Sequence, residues 1–274
     1  MLSPKNLALI NPRHFTFWFK SALYRLMPGG FGQYRKLQQK RSEEYVHERD
    51  KHPVREKHHG QGGWKDEVSA EGVRARDYAS YDEYLIHQKQ KLEEMLKMTG
   101  GFSNADVLNF RVSFYSRFRH LPKLLPSSAQ ILCGGARQGT EVEVLRDLGF
   151  GNAMGIDLNP GPDNPYVKPG DFMKLDYADG ALDLFYTNCI DHAFDLDRFF
   201  GEHARAIKSD GYALYDIHLV NEKGGGAFEA ISWQRSEEVL IKALQHFREI
   251  VHVERDGEWL WALLRKGTMP PKVT

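Results

Sequence analysis

The spacing of apolar positions changes along the chain, and each period predicts a different element. Phe15, Trp18, Phe19, Ala22 and Leu26 recur at i, i+3, i+4, i+7 and i+11, one face of a helix that Gly29 and Gly30 end. Residues 43–80 show no period. They are rich in His, Lys, Glu and Gly, with Pro53 and the Gly60–Gly63 cluster, and read as a linker or long surface loop. Helical spacing resumes at Tyr81, with Tyr84, Leu85, Gln88, Leu92, Met95 and Leu96 on one face and Gly100 and Gly101 as the stop. Ser103 or Asn104 can cap a second helix, carrying Val107, Leu108, Val112, Tyr115 and Phe118 and closed by Pro122 and Pro126.

From Gln130 the pattern becomes alternating strands and helices, the mark of a parallel α/β sheet. Strands are predicted at Ile131–Cys133, Ala153–Ile156, Ala181–Tyr186 and Tyr212–Ile217, and helices at Glu141–Leu148, Arg198–Ile207 and Ser236–His246. The Pro- and Gly-rich residues 160–169 read as a loop. Glu249–Arg255 and Trp259–Leu264 flank Asp256-Gly257, a strong hairpin signal. The expected organisation is an N-terminal extension and linker at 1–77, a helical cap at 78–126, an α/β domain at 127–267 and a tail at 268–274.

Composition narrows the class. Hydrophobic residues at 41% are enough to bury a core, which excludes global disorder. Lys+Arg and Asp+Glu are equal at 37 each, so a generally basic nucleic-acid binder is not expected. The balance hides an asymmetry: residues 1–42 hold eight basic side chains and no acidic one. Combined with the aromatic face at Phe15–Leu26, this segment suits peripheral contact with an anionic membrane. The alternative is that Phe15, Trp18 and Phe19 pack on the protein's own body or on a second subunit. No apolar run reaches the ~18–20 residues that cross a bilayer. Cys133 and Cys189 form no framework, which fits a reducing cytosol, so the expected location is cytoplasmic, peripheral at the inner face of the membrane if residues 1–42 bind lipid. His47, His52, His58 and His59 read as solvated histidines of the loop at 43–80, and no metal site is expected.

The chemistry concentrates where strands end. Ile131-Leu132-Cys133-Gly134-Gly135-Ala136-Arg137-Gln138-Gly139-Thr140-Glu141 runs from a buried strand through a small-residue loop into a helix. Gly135 and Gly139 allow a tight turn and close approach of a ligand, and the helix start offers free N–H groups. Asp157 ends the second strand, followed by Leu158, and is placed to accept from two ribose hydroxyls. Asp171 can accept from the exocyclic amine of adenine, with Phe172 packing on the ring. Asn188 forms the tip of a further strand, and Asp191 and His192 follow it. His192 can act as general base on a hydroxyl, with Asp191 orienting it. The other reading of this pair is a wall of the cofactor pocket.

Together these motifs resemble the class I S-adenosylmethionine-dependent methyltransferases over roughly residues 129–266, with a Gly170-Asp171-Phe172 element, a D-G-x-x-D turn at Asp179–Asp183 and a helix–Asp-Gly–strand unit at Lys208–Asp216. The resemblance implies a Rossmann-like sheet of seven strands, the last antiparallel, with helices on both faces. It implies S-adenosylmethionine as cofactor, with Gly135, Ala136, Arg137 and Gly139 at its methionine end, Asp157 and Leu158 at the ribose, Asp171 and Phe172 at the adenine, and Asn188 at the fourth strand's tip. Two positions depart from the family pattern: Cys133 stands where an acid is usual, and Arg137 where a glycine is usual. Arg137 sets a cation beside a sulfonium unless its side chain turns away or pairs with an acid.

Tyr81–Leu92, Gly139–Glu141 and Asp157–Gly161 are similar to a bacterial group, some of whose members look associated with polysaccharide or glycolipid synthesis, implying a sugar or glycolipid hydroxyl, or another small molecule, as acceptor. A catalytically inactive binding protein of this fold is one alternative. An NAD(P)-dependent oxidoreductase is another, because Gly134, Ala136 and Gly139 also read as G-x-A-x-x-G. The sequence assigns no oligomeric state.

Overall fold

A computed structural model of the chain describes residues 63–267 except 71, 100–103, 161–164 and 220–228. The expectations for the aromatic and basic helix, its membrane contact, the four histidines and the tail at 268–274 lie outside these residues. All described residues belong to one of the chain's two units, Val54–Thr274.

The elements in chain order are β1 (Trp64–Val68), β2 (Arg74–Arg76), α1 (Tyr81–Thr99), α2 (Asn104–Phe118), β3 (Ile131–Gly134), α3 (Thr140–Asp147), β4 (Met154–Asp157), β5 (Val167–Pro169), β6 (Leu182–Thr187), α4 (Leu196–Ala206), β7 (Ile207–His218), β8 (Ile231–Ser232), α5 (Ser236–Ala243), β9 (Glu249–Asp256) and β10 (Trp259–Arg265). Short 3-10 turns lie at Leu121–Lys123 and Ile190–His192.

Seven strands form one sheet in the order β5-β4-β3-β6-β7-β10-β9. The first five in that order pair in parallel, whereas β10, last in the chain, runs antiparallel to both β7 and β9. This is the expected seven-stranded α/β sheet. Every residue of β3 is buried, as a central parallel strand covered on both faces requires. Alternate side chains feed two cores. Leu132, Phe185, Ala213 and Tyr215 pack with Phe199 and Phe200 of α4 and Val239 of α5. Cys133, Leu184, Tyr186, Leu214 and Trp261 pack with Phe114 and Phe118 of α2 and Val144 and Leu145 of α3. Arg111 of α2 ties this layer to α3 by bridging Glu143 at 2.6 Å and Asp147.

Two expectations are corrected. The seventh strand, unplaced in the sequence, is Val167–Pro169 within the stretch read as loop; paired along β4, it needs only three residues, and the prolines around it hide its pattern. Part of the linker expected at 43–80 is also ordered sheet. β1 and β2 form an antiparallel pair with an irregular register, and β2 pairs with β8 in a second, three-stranded sheet. The partner strand lies some 150 residues downstream, so no local signal marks it.

Candidate functional site

The tips of the parallel strands are stitched together by hydrogen bonds. Gly135 and Gly139 adopt left-handed φ values of 71° and 69°, open only to glycine without strain, and turn the chain from β3 into α3. A side chain at Gly134 would place Cβ 2.6 Å from Cζ of Phe185, so the strand end must stay bare to seat on the core. The Ala136 N–H donates to the Ile156 carbonyl at 3.0 Å, and the Arg137 N–H donates to Asp157 Oδ2 at 3.1 Å. The second oxygen, Oδ1, accepts from the Asn159 N–H at 2.7 Å across Leu158. Asp157 therefore fixes both the loop after β3 and the turn after β4. On the other side, Thr187 Oγ1 donates to the Gly134 carbonyl at 2.8 Å and accepts from the Cys189 N–H at 3.1 Å. The Cys189 thiol reaches Asn188 Oδ1 at 3.2 Å.

Asp171 lies at the exit of β5. Its Oδ1 accepts from the Met173 N–H at 2.8 Å, and its Oδ2 accepts from the Tyr81 hydroxyl of α1. Burial and the neighbouring carboxylate push the Tyr81 phenol well above its ordinary range, so it remains a donor, and the Arg198 guanidinium lies 4.1 Å over its ring. Phe172 is buried edge-on against Phe199 with centroids 5.5 Å apart. Its carbonyl is held at 3.0 Å by His203 Nε2, while His203 Nδ1 contacts the Tyr215 hydroxyl at 3.0 Å. A carbonyl can only accept, so Nε2 carries the proton and Nδ1 accepts from the tyrosine. Complete burial lowers the His203 imidazole to about 3.

Asp191 and His192 share the 3-10 turn after β6, with His192 Nε2 3.8 Å from Asp191 Oδ1. Their backbone is pinned from both sides. The Tyr84 hydroxyl of α1 donates to the His192 carbonyl at 2.9 Å, and the Ala230 N–H before β8 donates to the Asp191 carbonyl at 2.7 Å. The His192 side chain keeps 20% of its surface exposed, so its ring can meet a ligand. Helix α1 also meets the turn after β4, where Asn159 Nδ2 donates to the Lys89 carbonyl at 3.2 Å.

All eleven residues singled out by sequence thus fall at or just beyond the carboxyl ends of β3, β4, β5 and β6. Three further polar residues lie below them in the core. Glu141, in the first turn of α3, is buried with its carboxyl pushed up to about 8, first by desolvation and then by Asp157, Asp216 and Glu143. Asp216 of β7 pairs with Arg117 of α2 and accepts from the Tyr186 hydroxyl at 3.1 Å, and burial lifts its carboxyl to about 6. Arg117 and Asp216 are each less than a tenth exposed. The missed signals were single charges at core positions: Asp216 inside the apolar run Tyr212–Ile217, and Glu141 four residues before the buried Leu145. Among the described residues no group of three or more His, Cys, Asp or Glu side chains is arranged to hold a metal ion, and no helix is long and apolar enough to cross a membrane.

Residues 132–215 match the methyltransferase domain family. No curated protein matches the chain. Among solved structures, a Burkholderia thailandensis 1,6-didemethyltoxoflavin-N1-methyltransferase, bound to 1,6-didemethyltoxoflavin and S-adenosylhomocysteine, is similar with a TM-score of 0.56 and 16% identity, covering 74% of this chain and 98% of that one. An S-adenosylmethionine-dependent methyltransferase from Mesorhizobium loti is similar with a TM-score of 0.42 and 16% identity, covering 55% of this chain and 97% of that one. At such identity the likeness is one of fold.

Proposed function

We propose that this chain, a class I S-adenosylmethionine-dependent methyltransferase, methylates a small-molecule acceptor, a hydroxyl of a sugar or glycolipid. The observation that carries the cofactor assignment is the bond from the Arg137 N–H to Asp157 Oδ2, which joins the glycine loop and the ribose acid into one rigid unit at adjacent strand tips. In this reading Gly135, Ala136, Arg137 and Gly139 hold the methionine end with backbone groups, Asp157 and the turn at Leu158 hold the ribose, Asp171 and Phe172 the adenine, and Asn188 the rim at β6. The donor set supports it: two carboxylates at separate strand ends suit a ligand with a pair of hydroxyls and, farther along, an amine. Helix α1, bonded to Asp171, His192 and Asn159, closes the cleft on one side.

The cofactor, when bound, supplies a methyl group on a good leaving group, so the protein has to align the acceptor and exclude water. His192 takes the proton of the acceptor hydroxyl on its imidazole, and Asp191 orients the ring. The pinned backbone of the 190–192 turn keeps both side chains at the tip of β6. General-base help of this kind contributes about 10²–10⁴-fold. Exchange of His192→Ala tests the assignment. Turnover on a panel of sugar and glycolipid hydroxyl acceptors is expected to fall by ~10²-fold or more with S-adenosylhomocysteine affinity unchanged. An equal loss of turnover and affinity would make His192 a pocket residue.

A further inference from the structure

We propose that Glu141 binds the cofactor, its carboxylate pairing with the ammonium group at the methionine end of S-adenosylmethionine. The inference rests on the methyltransferase reading and adds to it a residue that lies under the glycine loop.

The charge pattern around Glu141 is incomplete. Glu141 is 6% exposed and follows Gly139 by two residues, at the start of α3. The titratable groups near it are the neutral Cys133 thiol of β3, the Tyr186 hydroxyl of β6 and the carboxyls of Asp157 on β4, Asp216 on β7 and Glu143 on its own helix, none of them a cation. Two cations of this layer are engaged elsewhere. Arg117 pairs with Asp216, and Arg111 bridges Glu143 and Asp147. Among the described residues no cation pairs with Glu141, and no cluster suited to a metal ion includes it. A buried carboxylate among like charges is unfavourable unless a positive group joins it or it takes up a proton. In the free protein it keeps the proton, since its carboxyl is raised to about 8.

The missing cation is one the cofactor carries. Glu141 lies two residues beyond Gly139 in the first turn of α3, and the loop before it is bonded to Asp157, which puts Glu141 at the edge of the proposed cleft. Asp157 already accepts two backbone N–H groups. Among the described residues no backbone N–H of another residue bonds Glu141, which leaves it as the acid to receive an ammonium. Pairing would favour its ionised form, so the proton it holds must leave as the ligand arrives.

Calorimetry on the full-length chain at pH 7.5 tests this. S-adenosylhomocysteine, which has the ammonium, and 5′-methylthioadenosine, which lacks the amino-acid end, are titrated in two buffers of different ionisation enthalpy. For the wild type, S-adenosylhomocysteine is expected to bind with net proton release and 5′-methylthioadenosine without it. Glu141→Gln copies the neutral acid and so should preserve the fold. It should weaken S-adenosylhomocysteine about tenfold or more, abolish its proton release and leave 5′-methylthioadenosine unchanged. Adding Cys133→Asp to this variant moves a carboxylate to the adjacent side chain and should recover part of the affinity. If Glu141→Gln binds S-adenosylhomocysteine as the wild type does, or loses both ligands alike, the assignment is overturned. If the wild type binds neither ligand, the cofactor reading beneath it fails instead.

Discussion

His203 offers a test of how Phe172, proposed to meet the adenine, is supported from below. The residue is completely buried, stacked on Phe185 with centroids 3.7 Å apart, and hydrogen-bonded to the Phe172 carbonyl and the Tyr215 hydroxyl. Its imidazole is held at about 3 in the folded chain, against the ordinary 6.5. Between those values the unfolded chain binds a proton that the native chain excludes. Stability must therefore fall as pH drops through this window, and is fully present above pH 6.5. Because pH 5 lies 1.5 below the ordinary 6.5, protonation of the unfolded chain there is worth about 2 kcal/mol relative to pH 7.5. Urea unfolding at pH 7.5, 6 and 5 measures this. His203→Gln retains a donor for the Phe172 carbonyl and removes the titration. Its stability deficit relative to wild type should shrink by about 2 kcal/mol between pH 7.5 and 5. Glu141 and Asp216, whose raised carboxyls slope the other way, are common to both proteins and cancel in the difference. A deficit independent of pH would show that His203 is protonated normally and that the packing beneath Phe172 is not closed.

Two other perturbations follow from the same packing. Gly134→Ala sets a methyl 2.6 Å from Phe185, whose ring is held by His203; thermal unfolding should show a loss of about 1–3 kcal/mol, with weaker S-adenosylhomocysteine binding, and an unchanged melting temperature would mean the strand end has room. Arg117→Met leaves Asp216 buried without its cation and should cost about 3–5 kcal/mol in urea, whereas the double change with Asp216→Leu should recover most of that; a double variant as unstable as the single one would contradict the pairing.

The sequence revealed those parts of the fold whose signals are local. The buried run at Ile131–Gly134, the glycine loop and the Asp256-Gly257 turn each declare an element within a few residues, and the helix at Tyr81–Thr99 shows its own period and stop. Strand β5 escaped because three residues among prolines carry no alternation. The β1–β2–β8 sheet escaped because its pairing is made across the chain, between Arg74 and Ser232. Among the candidate residues, those from Gly135 to His192 are picked out by loop and strand-tip chemistry, and the structure brings them to neighbouring strand ends. Those that matter by what they face were not. Glu141 looks like any acid in a helix's first turn until Cys133, Asp157 and Asp216 surround it, and Arg117 looks like an exposed helix residue until Asp216 meets it. Tyr81 reads as the start of a helix and Tyr84 as part of its packing face, yet their hydroxyls hold Asp171 and the His192 carbonyl.

The proposed nucleoside cofactor site lies at the tips of β3 and β4 and is organised by Asp157. Calorimetric titration of the full-length chain and of Asp157→Ala with S-adenosylmethionine, S-adenosylhomocysteine and NADH addresses it most directly. The wild type should bind both sulfur ligands and ignore NADH. In the folded variant, affinity for both should fall by about 1–3 kcal/mol, since two ribose hydroxyls lose a charged acceptor and the Arg137 N–H loses its anchor. Unchanged affinity in a folded Asp157→Ala, or tighter binding of NADH than of S-adenosylhomocysteine by the wild type, would contradict it.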